Sequence, residues 1–470
     1  MKSVFYSPKH IFQYFIKFLL TIGLIGCVTK AADLHEAQEN KTNADSTQLI
    51  QMTTLLSNPY YFISENGKEL YLYVRVKSGK APVTTNRLPL NISLVLDHSG
   101  SMAGEKKLEH SKEAIKFVID NLAKEDKLSL VIYDSEVELV SASAPIINKD
   151  VLKKKVDQIT DGSSTNLSGG MLEGYAQVKT TYLSNNVNRV LLLSDGLANS
   201  GITDPIKLQQ IAKQKMTDEG ISISTFGVGL DFNEDLMTNL AEYGNGNYYF
   251  INSSDKIPEI FAQELKGLLS VVAQNSKLKI KFPGSNLKLS KVYGYLYKEE
   301  ENEVTVDFKD IFSEEEKVVL LKFEITNPVN SLLEFESRFS YDNTVNYNRE
   351  EIRQYVQLVP TTDGSLYNSG KNEEVNQNIV LFESNELMQK AIKAADERKF
   401  SEADSLAKQD ILYLEKSFTK IKPDSALIKQ YNSLKKYQKD VENANSMTDF
   451  EFKTMQKFNK NSNYMMRKRK

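Results

Sequence analysis

The sequence predicts an α/β unit with a mostly parallel, doubly wound sheet, set within a run of antiparallel β-strands and followed by a helical C-terminal segment. Three observations carry this. Between residues 88 and 272, short apolar runs such as residues 92–96 and 190–193 alternate with amphipathic stretches, the pattern of strands buried on both faces beneath helices. On either side of that segment, apolar and polar residues alternate with a period of two, as in half-buried strands. Beyond Gly370 the alternation stops and helical periodicity takes over.

From the N-terminus, residues 1–26 read as a signal peptide. Lys2 and Lys9 precede an apolar stretch over residues 11–25, interrupted only by Gln13, Lys17 and Thr21. The stretch is short for a membrane-spanning helix, which needs about 20 apolar residues. It ends in Leu24-Ile25-Gly26-Cys27, which holds the only cysteine of the chain and resembles the lipobox of bacterial lipoproteins. That resemblance implies acylation of Cys27 after cleavage, and so a lipid anchor in the membrane of a bacterial cell envelope. Val28 in place of an Asp after the cysteine favours the outer membrane. With Cys27 so used, no thiol remains for a disulfide or for catalysis. Residues 27–55 are polar up to Leu49 and are expected to be a flexible tether.

Residues 56–87 contain a first strand over 70–77, with Leu70, Leu72, Val74 and Val76 on one face and Tyr71, Tyr73, Arg75 and Lys77 on the other. Matching alternation returns over residues 273–362, at 277–282, 304–308, 319–325, 333–339 and 352–358. Turn residues such as Pro283-Gly284, Asn327-Pro328 and Asp342-Asn343 separate these runs. One β-sandwich interrupted by an inserted domain accounts for strands on both sides of residues 88–272, because a compact domain with neighbouring termini can be inserted into another; the alternative is an isolated strand and a separate domain. Within the insert, strands are expected at 91–96, 128–133, 190–193, 221–227 and 248–251. Helices are expected at 105–122, 150–159, 168–182, 204–218, 234–243 and 257–269.

Residues 363–470 are expected to form a small helical cap on the sandwich, with a partner-binding arm as the alternative. Helices open near Glu373, at a Ser401-x-x-Asp404 capping box and at Pro423-Asp424-Ser425. The basic end Arg467-Lys468-Arg469-Lys470 reads as a frayed, solvated tail.

Three segments of the insert can supply oxygen ligands to one metal ion. Asp97-His98-Ser99-Gly100-Ser101 follows the first apolar strand, Thr165 lies in the loop of residues 161–166, and Asp195-Gly196 follows the strand at 190–193. Ligands of open α/β sheets sit at the carboxyl ends of strands, where Asp97 and Asp195 both fall. Two carboxylates and three hydroxyls make a hard, all-oxygen shell suited to Mg²⁺ or Mn²⁺, which take about six oxygens near 2.1 Å.

Asp-x-Ser-x-Ser, a later Thr and a later Ser-Asp-Gly resemble the metal-ion-dependent adhesion site of von Willebrand factor type A (VWA) domains. The resemblance covers roughly residues 88–272 and implies a Rossmann-like fold. It also implies that Ser99, Ser101 and Thr165 ligate the metal, with Asp97 and Asp195 binding directly or through water. It implies a partner protein whose Asp or Glu completes the coordination sphere, and His98, Gly100, Asn166 and Gly196 stand at the rim that such a partner would touch.

Other chemistry finds little support in the sequence. Net charge is −3, and −6 once residues 1–26, with Lys2, Lys9 and Lys17 and no acid, are removed. A weakly acidic surface disfavours nucleic acid as a partner. His35, His98 and His110 form no metal-ligand spacing, and the Gly-Lys-Ser/Thr of a phosphate loop is missing. The expectation is therefore a non-enzymatic, lipid-anchored binding protein. The alternative is a scaffold component in which the metal mainly stabilises the fold.

Overall fold

The β-pattern starts earlier than the sequence suggested, at β1 (Ile50–Leu56), inside the stretch expected to be tether. In the computed structural model, residues 49–64, 68–81 and 87–468 are described. The expected signal peptide, Cys27 and most of the tether lie outside them. β2 (Tyr60–Phe62) and β3 (Glu69–Ser78) follow, and then the α/β unit begins.

That unit runs β4 (Leu90–Asp97), α1 (Lys107–Asn121), β5 (Lys127–Tyr133), β6 (Val137–Pro145), α2 (Lys149–Asp157) and α3 (Leu167–Thr180). It continues through β7 (Val187–Ser194), α4 (Pro205–Glu219), β8 (Ser222–Val228), α5 (Glu234–Tyr243), β9 (Tyr248–Ile251) and α6 (Ile257–Leu268). The strands lie in the order β6-β5-β4-β7-β8-β9, all parallel except the edge strand β6. β4 and β7 are buried along their whole length, which is why they read as unbroken apolar runs. Alternate side chains feed two cores. Ile92, Leu94 and Leu96 of β4 pack with α1, α2 and α6. Val95 joins Val190 and Leu192 beneath α3, α4 and α5.

After α6 come β10 (Val271–Lys281), β11 (Leu287–Tyr293), β12 (Lys298–Glu300), β13 (Glu303–Phe312), β14 (Glu316–Ile325), β15 (Leu333–Asn343) and β16 (Arg349–Thr361). They form two sheets with the early strands, ordered β1-β3-β14-β11 and β12-β13-β10-β15-β16-β2. Strands on both sides of the α/β unit thus share sheets, with Leu72 of β3 opposite Leu321 of β14. Phe323 of β14 and Phe335 of β15 bring the two sheets together at a ring separation of 5.4 Å.

The helical region comprises α7 (Gly364–Ser369), α8 (Glu373–Asp396), α9 (Phe400–Phe418), α10 (Ser425–Glu442) and α11 (Asp449–Arg467). α8 covers the β3 face expected to be solvated. Tyr71 donates to Glu383 at 2.7 Å, and Arg75 pairs with Glu374 at 2.6 Å. α9 starts at Phe400 without a side-chain cap, so the expected capping box is not formed. Asp404 instead accepts from Lys408 and Gln438. Asp424 does cap α10, accepting from the Leu427 amide.

The fourth long helix, α11, was missed from sequence, and it packs on the α/β unit. Its Tyr464 meets Tyr248 edge to face at 5.5 Å. The basic end is not a frayed tail as far as Lys468. Arg467 and Lys468 both pair with Glu242, and Lys468 Nζ also donates to the Gly294 carbonyl at 2.9 Å. No helix among the described residues is long and apolar enough to cross a membrane.

Candidate functional site

β4 and β7 are hydrogen-bonded neighbours in register, Leu96 opposite Leu193, so both chains leave the sheet side by side. This carries Asp97 and Asp195 to the same edge, at the point where connections from β4 diverge to opposite sides. Both carboxylates are fully buried. Asp97 accepts from the Ser99 amide at 2.9 Å and from Ser194 Oγ at 2.7 Å. Burial raises its pKa, those two donors oppose the rise, and the charge of Asp195 adds to it.

Asp195 is held from above. Ser101 Oγ donates to its Oδ1 at 2.6 Å, and Lys107 Nζ lies 2.7 Å from its Oδ2. Ser99 and Ser101 hydroxyls are 3.2 Å apart, Ser99 buried and Ser101 exposed. Gly196 brings the third segment into place: a Cβ there would stand 3.4 Å from Thr165 Oγ1 and 3.7 Å from Ser101 Oγ. Asp97, Ser99, Ser101, Thr165 and Asp195 are therefore gathered in one place, from buried carboxylates to an exposed hydroxyl. This oxygen set fits a hard divalent cation. Among the described residues no group of three or more His, Cys, Asp or Glu is arranged to hold a metal. Two carboxylates completed by hydroxyls are a different kind of shell.

The rim residues divide. Gly100 is exposed, and its amide donates to the Ser163 carbonyl at 3.0 Å. His98 is half-buried, with Nδ1 2.8 Å from the Thr160 carbonyl. Asn166 is a helix cap, its Oδ1 accepting from the Gly169 amide at 3.0 Å. His98 and Asn166 thus brace the loops. Cys27 lies outside the described residues.

Four residues of the site were missed from sequence. Ser194 fixes Asp97. Asn199 accepts from the Thr165 amide at 2.8 Å and holds that loop. Asp134 accepts from the amides of Glu136 and Ser163 and from the Ser163 hydroxyl. Burial opposes its ionisation, but these donors win and keep it below the usual carboxylate range. Asp134 follows β5 as Asp97 ends β4 and Asp195 follows β7, and that shared placement was a readable signal. Lys107 carried none. The helix expected from residue 105 begins only at Lys107, because Glu105 and Lys106 take left-handed φ values of 52° and 54°.

Residues 91–263 match the family model of the von Willebrand factor type A domain, and this part of the chain is a VWA domain. The uncharacterized protein YfbK of Escherichia coli is 31% identical over 243 residues, covering 50% of this chain and 41% of its own length. The uncharacterized protein sll0103 of Synechocystis is 27% identical over 282 residues, covering 58% of this chain. The chain spans about two fifths of the first of these relatives and 66% of the second. Among solved structures, a von Willebrand factor type A protein from Catenulispora acidiphila superposes with a TM-score of 0.67 at 14% identity, covering 85% of this chain and 92% of its own. The ArnB paralog VWA2 from Sulfolobus acidocaldarius gives 0.59 at 17% identity, covering 88% and 98%. Both likenesses concern the fold.

Proposed function

We propose that the VWA domain of this chain is a non-enzymatic binding module in which Asp97, Ser99, Ser101, Thr165 and Asp195 hold Mg²⁺ or Mn²⁺ and a partner protein adds an Asp or Glu carboxylate. The observation that carries this reading is the pair of buried carboxylates, Asp97 and Asp195, converging with the hydroxyls of Ser99, Thr165 and the exposed Ser101. Buried carboxylates side by side are costly unless a cation offsets them. When bound, the ion offers an electron-poor coordination position to the partner's carboxylate. The chain's own residues do the rest. Ser194 and the Ser99 amide orient Asp97, Asn199 and Asp134 hold the loop of Thr165, and Gly100 and Gly196 keep the approach free of side chains.

We also infer where the protein sits. Cys27 carries acyl chains that anchor the protein in a bacterial envelope membrane, the outer one being favoured. The two flanking sheets are one β-sandwich into which the VWA domain is inserted. Metabolic labelling with a fatty acid, lost in Cys27→Ser, tests the anchor.

The binding reading is tested with the chain from Val28 onward as bait for envelope proteins, in Mg²⁺, in EDTA and as Asp97→Ala. A protein retained only by the intact site in Mg²⁺ is the expected result. A retained set unchanged by EDTA and by the substitution would overturn it. That outcome, with a large loss of thermal stability in EDTA, would make the metal a structural part of a scaffold instead.

A further inference from the structure

Lys107 places an ammonium against one acid of the oxygen cluster. Its Nζ lies 2.7 Å from Asp195 Oδ2, and the side chain is only 13% exposed against a carboxylate that is fully buried. The neighbouring Lys106 is exposed. A backbone feature delivers Lys107 to this place. Glu105 and Lys106 are consecutive non-glycine residues in the left-handed region, a strained arrangement for residues that carry a Cβ. They end the 3₁₀ turn of Gly100–Lys106 and turn the first residue of α1 toward the site. Gly229, a glycine required by its φ of +73°, lies beside the Lys107 side chain, and a Cβ there would be in ordinary contact with Nζ at 3.6 Å and Cε at 3.7 Å. Strain held this close to the oxygen cluster points to a role there.

Asp195 thus has both oxygens engaged, Oδ1 by the Ser101 hydroxyl and Oδ2 by the Lys107 ammonium. Asp97 has both engaged as well, but by neutral donors, the Ser99 amide and the Ser194 hydroxyl. Among the described residues, the fixed positive charge that touches this pair of acids is that of Lys107.

We propose that Lys107 is a tethered counter-cation that sets the site's metal affinity: it holds Asp195 when the metal is absent and competes with the metal for the same carboxylate. The inference rests on the metal-site reading above and adds the residue that tunes it. An ammonium beside Asp195 keeps the metal-free site assembled, because a buried carboxylate without a partner is strongly destabilising. The same charge repels an arriving dication and cancels part of the negative field that would draw it in. The site is therefore stable empty and weak for metal alone, so occupancy depends more on the extra carboxylate that a partner brings. Lys107 is a positioning residue in this account.

The test is Mn²⁺ titration calorimetry on the full chain as wild type, Lys107→Met and Lys107→Arg, with thermal melting in EDTA and in excess Mn²⁺. Lys107→Met is expected to bind Mn²⁺ at least about tenfold more tightly, the scale of one unit charge removed at close range in a partly buried site. It is also expected to melt below wild type in EDTA and to recover in Mn²⁺. Lys107→Arg keeps the charge and is expected to stay near wild type. If Lys107→Met folds only when Mn²⁺ is supplied, the proposal stands. Equal Mn²⁺ affinity in wild type and Lys107→Met overturns the proposal and leaves the metal-site reading intact. Mn²⁺ binding by neither protein overturns both.

Discussion

Arg189 on β7 reaches out of the VWA sheet to Asp310 on β13, Nη2 to Oδ2, at 2.9 Å. The same guanidinium lies 3.3 Å from Glu264 on α6, and all three side chains are almost fully buried. One cation thus joins a central strand of the VWA sheet, its last helix and a strand of the flanking sheet that contains β10 and β15. Glu264 also accepts from Ser224, Asn247 and Tyr249. Burial opposes its ionisation, but the Arg189 charge and these donors hold its pKa below the usual value.

Arg189→Met is accordingly expected to destabilise the protein by about 3–5 kcal/mol, because it leaves two carboxylates buried and unpaired. Urea unfolding at pH 7 measures this. The substituted protein should recover part of the loss as pH falls and the stranded Glu264 carboxylate takes up a proton. A change below about 1 kcal/mol would mean that water or a rearranged donor replaces the guanidinium.

A different buried acid predicts the opposite sign. Asp410 of α9 is fully buried, and among the described residues no donor meets its carboxylate in good geometry. Burial pushes its pKa up to about 8, and the nearby Ser384 hydroxyl offsets this only in part. A raised acid means that the folded state holds the proton more tightly. The group costs nothing below pH about 4, its cost grows as pH rises, and it levels off above about 8. Asp410→Asn is therefore expected to stabilise the protein at pH 7. The ceiling is about 4 kcal/mol, since each tenfold change in proton affinity is worth about 1.4 kcal/mol. The gain should vanish near pH 4 in unfolding curves run across that range.

The C-terminal helix carries a third prediction. Tyr464 of α11 belongs to the apolar core under α3, α4 and α5. Lys457 donates to the Phe232 carbonyl at 3.0 Å with its ammonium 3.5 Å from the centre of that ring. Removing the Tyr464 ring opens a cavity in a shared core, so Tyr464→Ala is expected to cost about 3 kcal/mol. Faster amide hydrogen exchange should follow over residues 234–251, which α11 covers. Unchanged exchange there would mean that α11 rides on the domain without supporting it.

Residues whose role is set by their own strand or turn were legible in the sequence. Asp97 and Asp195 announce themselves because β4 and β7 are apolar from end to end and a carboxylate ends or follows each. β6 was not legible: it is an edge strand with no buried face, so neither alternation nor an apolar run marks it. Lys107 and Asn199 were hidden because their partners, Asp195 and Thr165, are distant in sequence and meet them only through the fold. α11 was hidden for a related reason. Its polar sequence reads as solvated, yet Lys457, Lys460 and Arg467 find carboxylates, a carbonyl and a ring on the VWA domain. Of the expected rim, His98 and Asn166 tie loops, because a polar residue beside a ligand position is as readily used to tie the loop as to meet a partner.

That last distinction is testable between adjacent residues. Thr165 has its hydroxyl beside Gly196 and Ser101, whereas Asn166 spends its side chain on the first turn of α3. Thr165→Ala should leave the metal-free melting temperature nearly unchanged, since the Thr165 amide and carbonyl that tie the loop to Asn199 remain. It should remove most of the thermal stabilisation that millimolar Mn²⁺ gives the wild type, where a ligand at 100 times its Kd contributes about 2.7 kcal/mol. Asn166→Ala should behave conversely. It loses a helix cap, at a cost of about 1 kcal/mol, and keeps the Mn²⁺ shift. Melting of the two proteins in EDTA and in Mn²⁺ separates a metal ligand from a loop brace. If both lost the Mn²⁺ effect equally, the metal would be sensing the loop's position, and Thr165 would lose its claim to coordinate it.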